Sequence, residues 1–414
     1  MASSWCRSVN WPNEASAPVR AVLLGLLLCA ATAAQAKSLF TFSNPAGTHG
    51  VGVRYLKQVD RTRPFTPQRG MLARAFSKGE AQGRPMQTVI WYPAEKGGRG
   101  VTYDEYLQLV GWETDLDASP REQARTIDAW LQMVTEGKRK EQVASERRRR
   151  MWAVRDAVPK AGKFPVVIYA PSINNTTFEN ADIAEYLASH GYIVIAAPSV
   201  GLSSRWIKKD LMHAELQADD IRFLVDYART LPQADMTRVA AAGFSWGGLS
   251  NVLAAAKDER IKALVCIDGA VRYFNTIVSQ ATYARPAKLR TPLLFLAQSP
   301  ASMEANIRYK EDMSGSFISG MVNADVYLLT MYPMEHVHFG SAYIRLDDPA
   351  EYKEYTPEEV SFAYSLGARY ILNFLNAYLK NDPLGRAYLG NRPAANGAAP
   401  HSMRMEYLPA KRGG

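Results

Sequence analysis

Hydrophobic positions run along the middle of this chain in two alternating patterns. "FPVVIYA" (164–170) and "YIVIAAPS" (192–199) are unbroken apolar runs without in-out alternation, the mark of parallel strands covered on both faces. Between them "ADIAEYLASHG" has helical character and is closed by Gly191. Ile221, Leu224, Val225 and Ala228 recur at helical spacing and mark a second helix. "RVAAAGFS", "IKALVCIDG", "PLLFLAQ" and "DVYLLTM" (325–331) follow as further strands, and "QTVIWYP" (87–93) is an earlier one stopped by Pro93. Thr356, Pro357 and Glu359 form a capping-box start for a last long helix. Strands alternating with helices predict an α/β fold with an open, mostly parallel sheet and helices on both faces. Sites in such sheets form outside the carboxyl ends of the strands.

Two stretches depart from this rhythm. Residues 101–158 turn charged and helical, with Ile127, Trp130, Leu131 and Val134 on one face, so a helical insertion is expected there, as a cap over a site or an added layer. From 391 to 414, "NRPAANGAAPHSMRMEYLPAKRGG" has the composition of a flexible tail. The main domain is expected to span 37–390.

Composition changes the picture mainly at the N-terminus. Arg20 precedes the 14-residue apolar run "AVLLGLLLCAATAA", which ends in "AQA" before Lys37. This pattern is that of a signal peptide covering residues 1–36, cut after Ala36, and implies a secreted or periplasmic protein. The run is shorter than the roughly 20 residues of a spanning helix, so no stable membrane span is expected. Cys266 would then be the one cysteine left, a buried thiol inside a strand. The net charge of +9 is concentrated in "GKRKEQVASERRRRMWAVR". Without a nucleic-acid-binding motif this is the solvated face of a helix, and no nucleic-acid partner is expected.

The candidate chemistry centres on "AAGFSWGGLS" (241–250). Ser245 falls at the carboxyl end of a predicted strand, directly before a helix, in a G-x-S-x-G arrangement. In that context the motif is a nucleophile elbow, and the glycines allow strand and helix to approach closely. A serine hydroxyl needs a base, and the base an orienting carboxylate. Of the downstream histidines, His401 lies in the tail, while His336 and His338 share "YPMEHVHFG" just after a strand. His336 is the preferred base because less loop separates it from the strand; His338 is the alternative. Asp268, at the end of "IKALVCIDG", is the expected acid, with Glu304 the alternative on the following strand. Backbone N–H groups of Trp246 and of Ile173, in "PSINN", are the expected oxyanion donors; otherwise that polar loop is an ordinary helix cap.

At these residues the chain resembles the platelet-activating factor acetylhydrolase and dienelactone hydrolase-like branch of the α/β-hydrolases. "FPVVIYAPS…EYLASHGYIVIAAPS" resembles that family's strand, oxyanion loop and helix, and "GFSWGG" its elbow. Asp268 follows Ser245 by 23 residues, which resembles the acetylhydrolase placement of the acid, and His336 with Phe339 matches its H-x-x-F. Pro171-Ser172 departs from the family's usual His-Gly, and the serine departs from the cysteine nucleophile of true dienelactone hydrolases. The resemblance implies a serine hydrolase of short-chain or acetyl esters acting on a small-molecule or lipid ester, without a cofactor or metal. A serine peptidase on the same fold, or a binding protein that keeps the fold without catalysis, are the rival readings.

Overall fold

The computed structural model describes residues 38–65, 82–136, 139–300 and 316–411. The expected signal peptide, residues 1–36, and Glu304 lie outside them. The described residues build one ten-stranded sheet: β1 (Gly50–Phe65), β2 (Gln82–Ala94), β3 (Ala153–Arg155), β4 (Phe164–Ala170), β5 (Ile193–Ala196), β6 (Ala234–Phe244), β7 (Ile261–Ile267), β8 (Leu293–Ala297), β9 (Val326–Met331) and β10 (Met403–Leu408). Their order is β10-β9-β8-β7-β6-β4-β5-β2-β1-β3. The six strands from β5 to β9 across that order run parallel; β2 joins β5, and β10 joins β9, antiparallel.

The apolar runs are unbroken because both sheet faces are covered. Val167 and Tyr169 of β4 pack on one face, Val166, Ile168 and Ala170 on the other. The first face lies under helices Ala181–Ser189 and Pro357–Leu379, the second under Leu211–Ala228 and Trp246–Lys257. Thr356 caps the long Pro357–Leu379 helix: its Oγ1 accepts from Glu359 N at 3.2 Å while Glu359 Oε2 accepts from Thr356 N at 2.8 Å. β4 sits between β5 and β6, so the chain reverses its direction of travel through the sheet there and leaves a crevice at the carboxyl ends of β4 and β6. Register then sets the neighbours. Phe244 pairs with Ile267, so the residues after β6 and β7, Ser245 and Asp268, emerge side by side.

Two expectations are corrected. The insertion is not wholly helical: helices α1 (Tyr103–Leu107), α2 (Pro120–Thr135) and α3 (Lys140–Arg147) are followed by β3, which pairs parallel with β1 at the sheet edge. Tyr103, Tyr106, Leu107, Leu109 and Val110 are fully buried, so this segment forms a layer of the core itself. Nor is the stretch after 391 a loose tail. Residues 403–408 pair with β9, Tyr407 stacks on Tyr327 with centroids 4.6 Å apart, and Tyr332 N donates to Ser402 O at 3.0 Å. Its polar composition hid a strand whose Met403 and Met405 pack on the core and which covers an otherwise open sheet edge. The long β1 was also not anticipated. Among the described residues, no helix is long and apolar enough to cross a membrane.

Candidate active site

The glycines around Ser245 are there for space. A Cβ on Gly243 would collide with the backbone of Gly247, one on Gly247 with the carbonyl of Ala170 at the end of β4, and one on Gly248 with Gly269. Strand β6, the following helix (Trp246–Lys257) and the end of β4 therefore meet at backbone contact. None of these three glycines has a left-handed φ; Ser245 itself does, at 51°. A non-glycine residue held there costs on the order of 1–3 kcal/mol, which the surrounding hydrogen bonds must hold in place. Ser245 N donates to Ile267 O at 3.0 Å, and Ser245 O accepts from Gly248 N at 2.9 Å and Ala270 N at 2.6 Å.

Asp268 is fully buried and also left-handed, at φ 40°. Its Oδ2 lies 2.6 Å from His336 Nδ1, and His336 Nε2 lies 2.9 Å from Ser245 Oγ. The three residues chosen from the sequence thus form one continuous line. Asp268 Oδ1 faces the other way, accepting from Gln298 N at 3.1 Å and from the Tyr273 hydroxyl, which itself accepts from Gln298 Nε2 at 2.7 Å. Tyr273 and Gln298 were not anticipated as braces. Gln298 directly follows β8.

His336 opens a single turn of 3-10 helix after β9, and its ring packs beside Phe244 and Tyr273, at 5.1 and 5.9 Å between centroids. That turn is tied to the end of β8 by Ser299 N, which donates to Met334 O at 3.0 Å. His338 faces away from Ser245. Its ring stacks on Tyr352, its Nδ1 accepts from Glu335 N at 3.1 Å, and its Nε2 lies 3.5 Å from Asp347 Oδ2. Two residues apart in an extended strand they would share a side; the turn sends them apart.

Ile173 sits in a tight turn, with Asn175 N donating to Ser172 O at 3.2 Å and Asn174 left-handed at φ 58°. The turn follows β4, facing the elbow across the contact between Gly247 and Ala170. Asn174 is held from outside: its Oδ1 accepts from Ile207 N at 2.6 Å, and its carbonyl accepts from Arg205, which is paired with the buried Glu113 of the insertion. From inside, the turn rests on Glu179, a fully buried carboxylate that carries no motif to mark it. An acidic residue just before a helix normally faces solvent at the helix N-terminus, and only the tertiary structure turns this one inward. Burial raises Glu179 to about 7 even though Ser172 and Tyr169 donate hydrogen bonds to it. Cys266, buried beneath the elbow with Sγ 3.2 Å from Gly248 O, is pushed up to about 12 by burial, an inert thiol.

Comparison with known proteins agrees with this architecture. Residues 153–314, which carry Ser245 and Asp268 and stop short of His336, match the dienelactone hydrolase family. A ferulic acid esterase from Streptomyces cinnamoneus superposes with a TM-score of 0.57 over 88% of this chain and 98% of its own, at 18% identity. The chain has the α/β-hydrolase fold. No curated protein matches it in sequence. Within the α/β-hydrolase frame, Ser245 directly follows β6, Asp268 directly follows β7, and His336 lies in the turn after β9. The helical insertion and the added β10 lie outside the segment that the family match covers, apart from β3.

Proposed function

We propose that this protein is a serine hydrolase of carboxylic esters. The observation that carries the reading is the hydrogen-bonded line from Ser245 Oγ through His336 to the buried Asp268, ending on a serine held at a left-handed φ. The matched family of hydrolases, and a structural neighbour named as an esterase, support the same reading.

In this reading Ser245 Oγ attacks the ester carbonyl carbon as its proton passes to His336 Nε2. Asp268, on Nδ1, holds the tautomer that leaves Nε2 free to accept and stabilises the imidazolium. The carbonyl oxygen becomes an oxyanion, received by the N–H groups of Trp246, at the start of the helix Trp246–Lys257, and Ile173. Collapse breaks the bond to the alkoxy group, which takes the proton from His336 and leaves. Water, deprotonated by His336, then releases the acid and regenerates the serine. Trp206 and Leu202, exposed on the loop braced to Asn174, offer apolar surface beside the oxyanion turn, suited to a small-molecule or lipid ester. The basic-apolar-small pattern of residues 1–36 supports export, secreted or periplasmic.

Ser245→Ala tests the core of the proposal. The expected result is a folded protein that neither hydrolyses p-nitrophenyl acetate nor is labelled by a fluorophosphonate. Turnover at the wild-type rate would refute it. Wild-type turnover of an anilide as fast as of the matching ester would favour a peptidase instead.

A further inference from the structure

Glu179 has no part in the chemistry just described, yet it is the group on which the oxyanion turn is built. Four donors converge on its carboxylate. Tyr169 Oη and Ser172 N donate to Oε2 at 3.0 and 2.9 Å, and Ser172 Oγ and Asn175 Nδ2 donate to Oε1. Three of the four come from the two ends of the Ser172–Asn175 turn. Ile173, at its centre, therefore has its backbone direction set from beneath. The backbone of Glu179 also holds the other half of the site, its carbonyl accepting from Ala342 N at 3.1 Å and Ser341 Oγ at 3.4 Å, just beyond the turn that carries His336. Asn175 Nδ2 reaches Tyr343 Oη at 2.6 Å and closes the ring between the two loops.

We propose that Glu179 is a positioning residue, whose buried carboxylate aims the Ile173 N–H at the oxyanion and places a negative charge behind the imidazole of His336. The inference rests on the serine-hydrolase reading above. A carboxylate is the one side chain of this size with only acceptor sites, about four of them, and four donors meet it. Were the need merely to fill the space, an apolar residue would do so without the cost of burying a charge. The titratable groups that face it are Tyr169 from β4, Tyr343 from the helix Ser341–Leu346, Tyr364 from the Pro357–Leu379 helix, and His336. The tyrosines are neutral in the working range, held up by burial. His336 is the group among them that gains a charge during turnover.

Glu179→Gln keeps the volume, removes the charge and turns one acceptor into a donor, so Ser172 Oγ and Asn175 Nδ2 can no longer both be received. The expected result is a kcat for p-nitrophenyl acetate lowered roughly 10- to 100-fold, the scale of a misplacement of about 1 Å, with KM nearly unchanged. The loss should be larger above about pH 7, where the wild-type carboxylate is charged, than in acid, where wild type and variant both carry a neutral side chain. The melting temperature above pH 7 should hold or rise, because a buried charge is gone. Wild-type kcat with a superimposable pH profile, or a lowered melting temperature as the sole change, would overturn the inference. If Glu179→Gln does not fold, Ser172→Ala removes one donor at the same point and should lower kcat without unfolding the protein; unchanged kcat there would equally overturn it. Fluorophosphonate labelling separates the two levels. An unlabelled wild-type enzyme sinks the triad, whereas a labelled, fully active Glu179→Gln sinks only the role of Glu179.

Discussion

Asp268→Asn removes one charge and exchanges one oxygen for an amide nitrogen, and the structure dictates which oxygen. Oδ1 receives two donors, Gln298 N and Tyr273 Oη, and the tyrosine proton has to point to Asp268 because its oxygen already accepts from Gln298 Nε2. The asparagine must therefore keep its carbonyl on that side and turn its NH2 toward His336 Nδ1, now 2.6 Å from Oδ2. An NH2 there needs a lone pair on Nδ1, which moves the imidazole proton to Nε2, facing Ser245 Oγ. In that tautomer the ring can donate to the serine but cannot take its proton. The geometry survives while the base is lost, a situation worth roughly 10³ to 10⁴ in kcat, or about 4 to 5.5 kcal/mol of barrier, in triads of this kind. The assay is steady-state hydrolysis of p-nitrophenyl acetate with stability followed in parallel. A variant with normal melting that keeps more than about a tenth of the wild-type kcat would refute the tautomer argument.

The two neighbouring histidines should separate sharply. His336→Ala should abolish acylation by an activated ester, whereas His338→Ala, losing its stack on Tyr352 and its bond from Glu335 N, should lower the rate only modestly; the reverse result would move the base to His338. Stability should also depend on pH in a defined direction. Burial raises Glu179 and Glu185 to about 7, outweighing the bonds donated by Ser172 and Tyr106, so the folded chain retains protons that the unfolded chain releases near 4.5. Their contribution is fully present below about pH 4.5 and is lost as pH rises through about 7, by up to about 3 kcal/mol each. Asp258 works in the opposite sense: burial is outweighed by the bonds from Arg260, its carboxyl falls below the usual range, and its contribution is lost in acid. The melting temperature should accordingly be greatest in mildly acidic buffer, and a steady rise from pH 5 to pH 8 would contradict this.

Much of the frame was legible in the chain itself. Short unbroken apolar runs rich in β-branched residues, such as "FPVVIYA", mark strands buried on both faces, and small residues at Gly243, Gly247 and Gly248 announce backbone contact around one serine. These signals are local, carried by period and by steric size, so the sequence determined the parallel sheet, the elbow and the residues at its strand ends. Long-range pairing is not local. The 403–408 segment becomes a strand because β9 offers an unfilled edge 72 residues upstream of it, and β1 forms because β2 lies beside it. The same holds for polarity. Glu179, Gln298 and Tyr273 carry no sign in the sequence of facing inward, since a buried polar side chain is defined by the donors that meet it, and those arrive from other strands and helices. Only the tertiary structure decided which acids and amides brace the line from Ser245 to Asp268, because only folding brings their partners within hydrogen-bond reach.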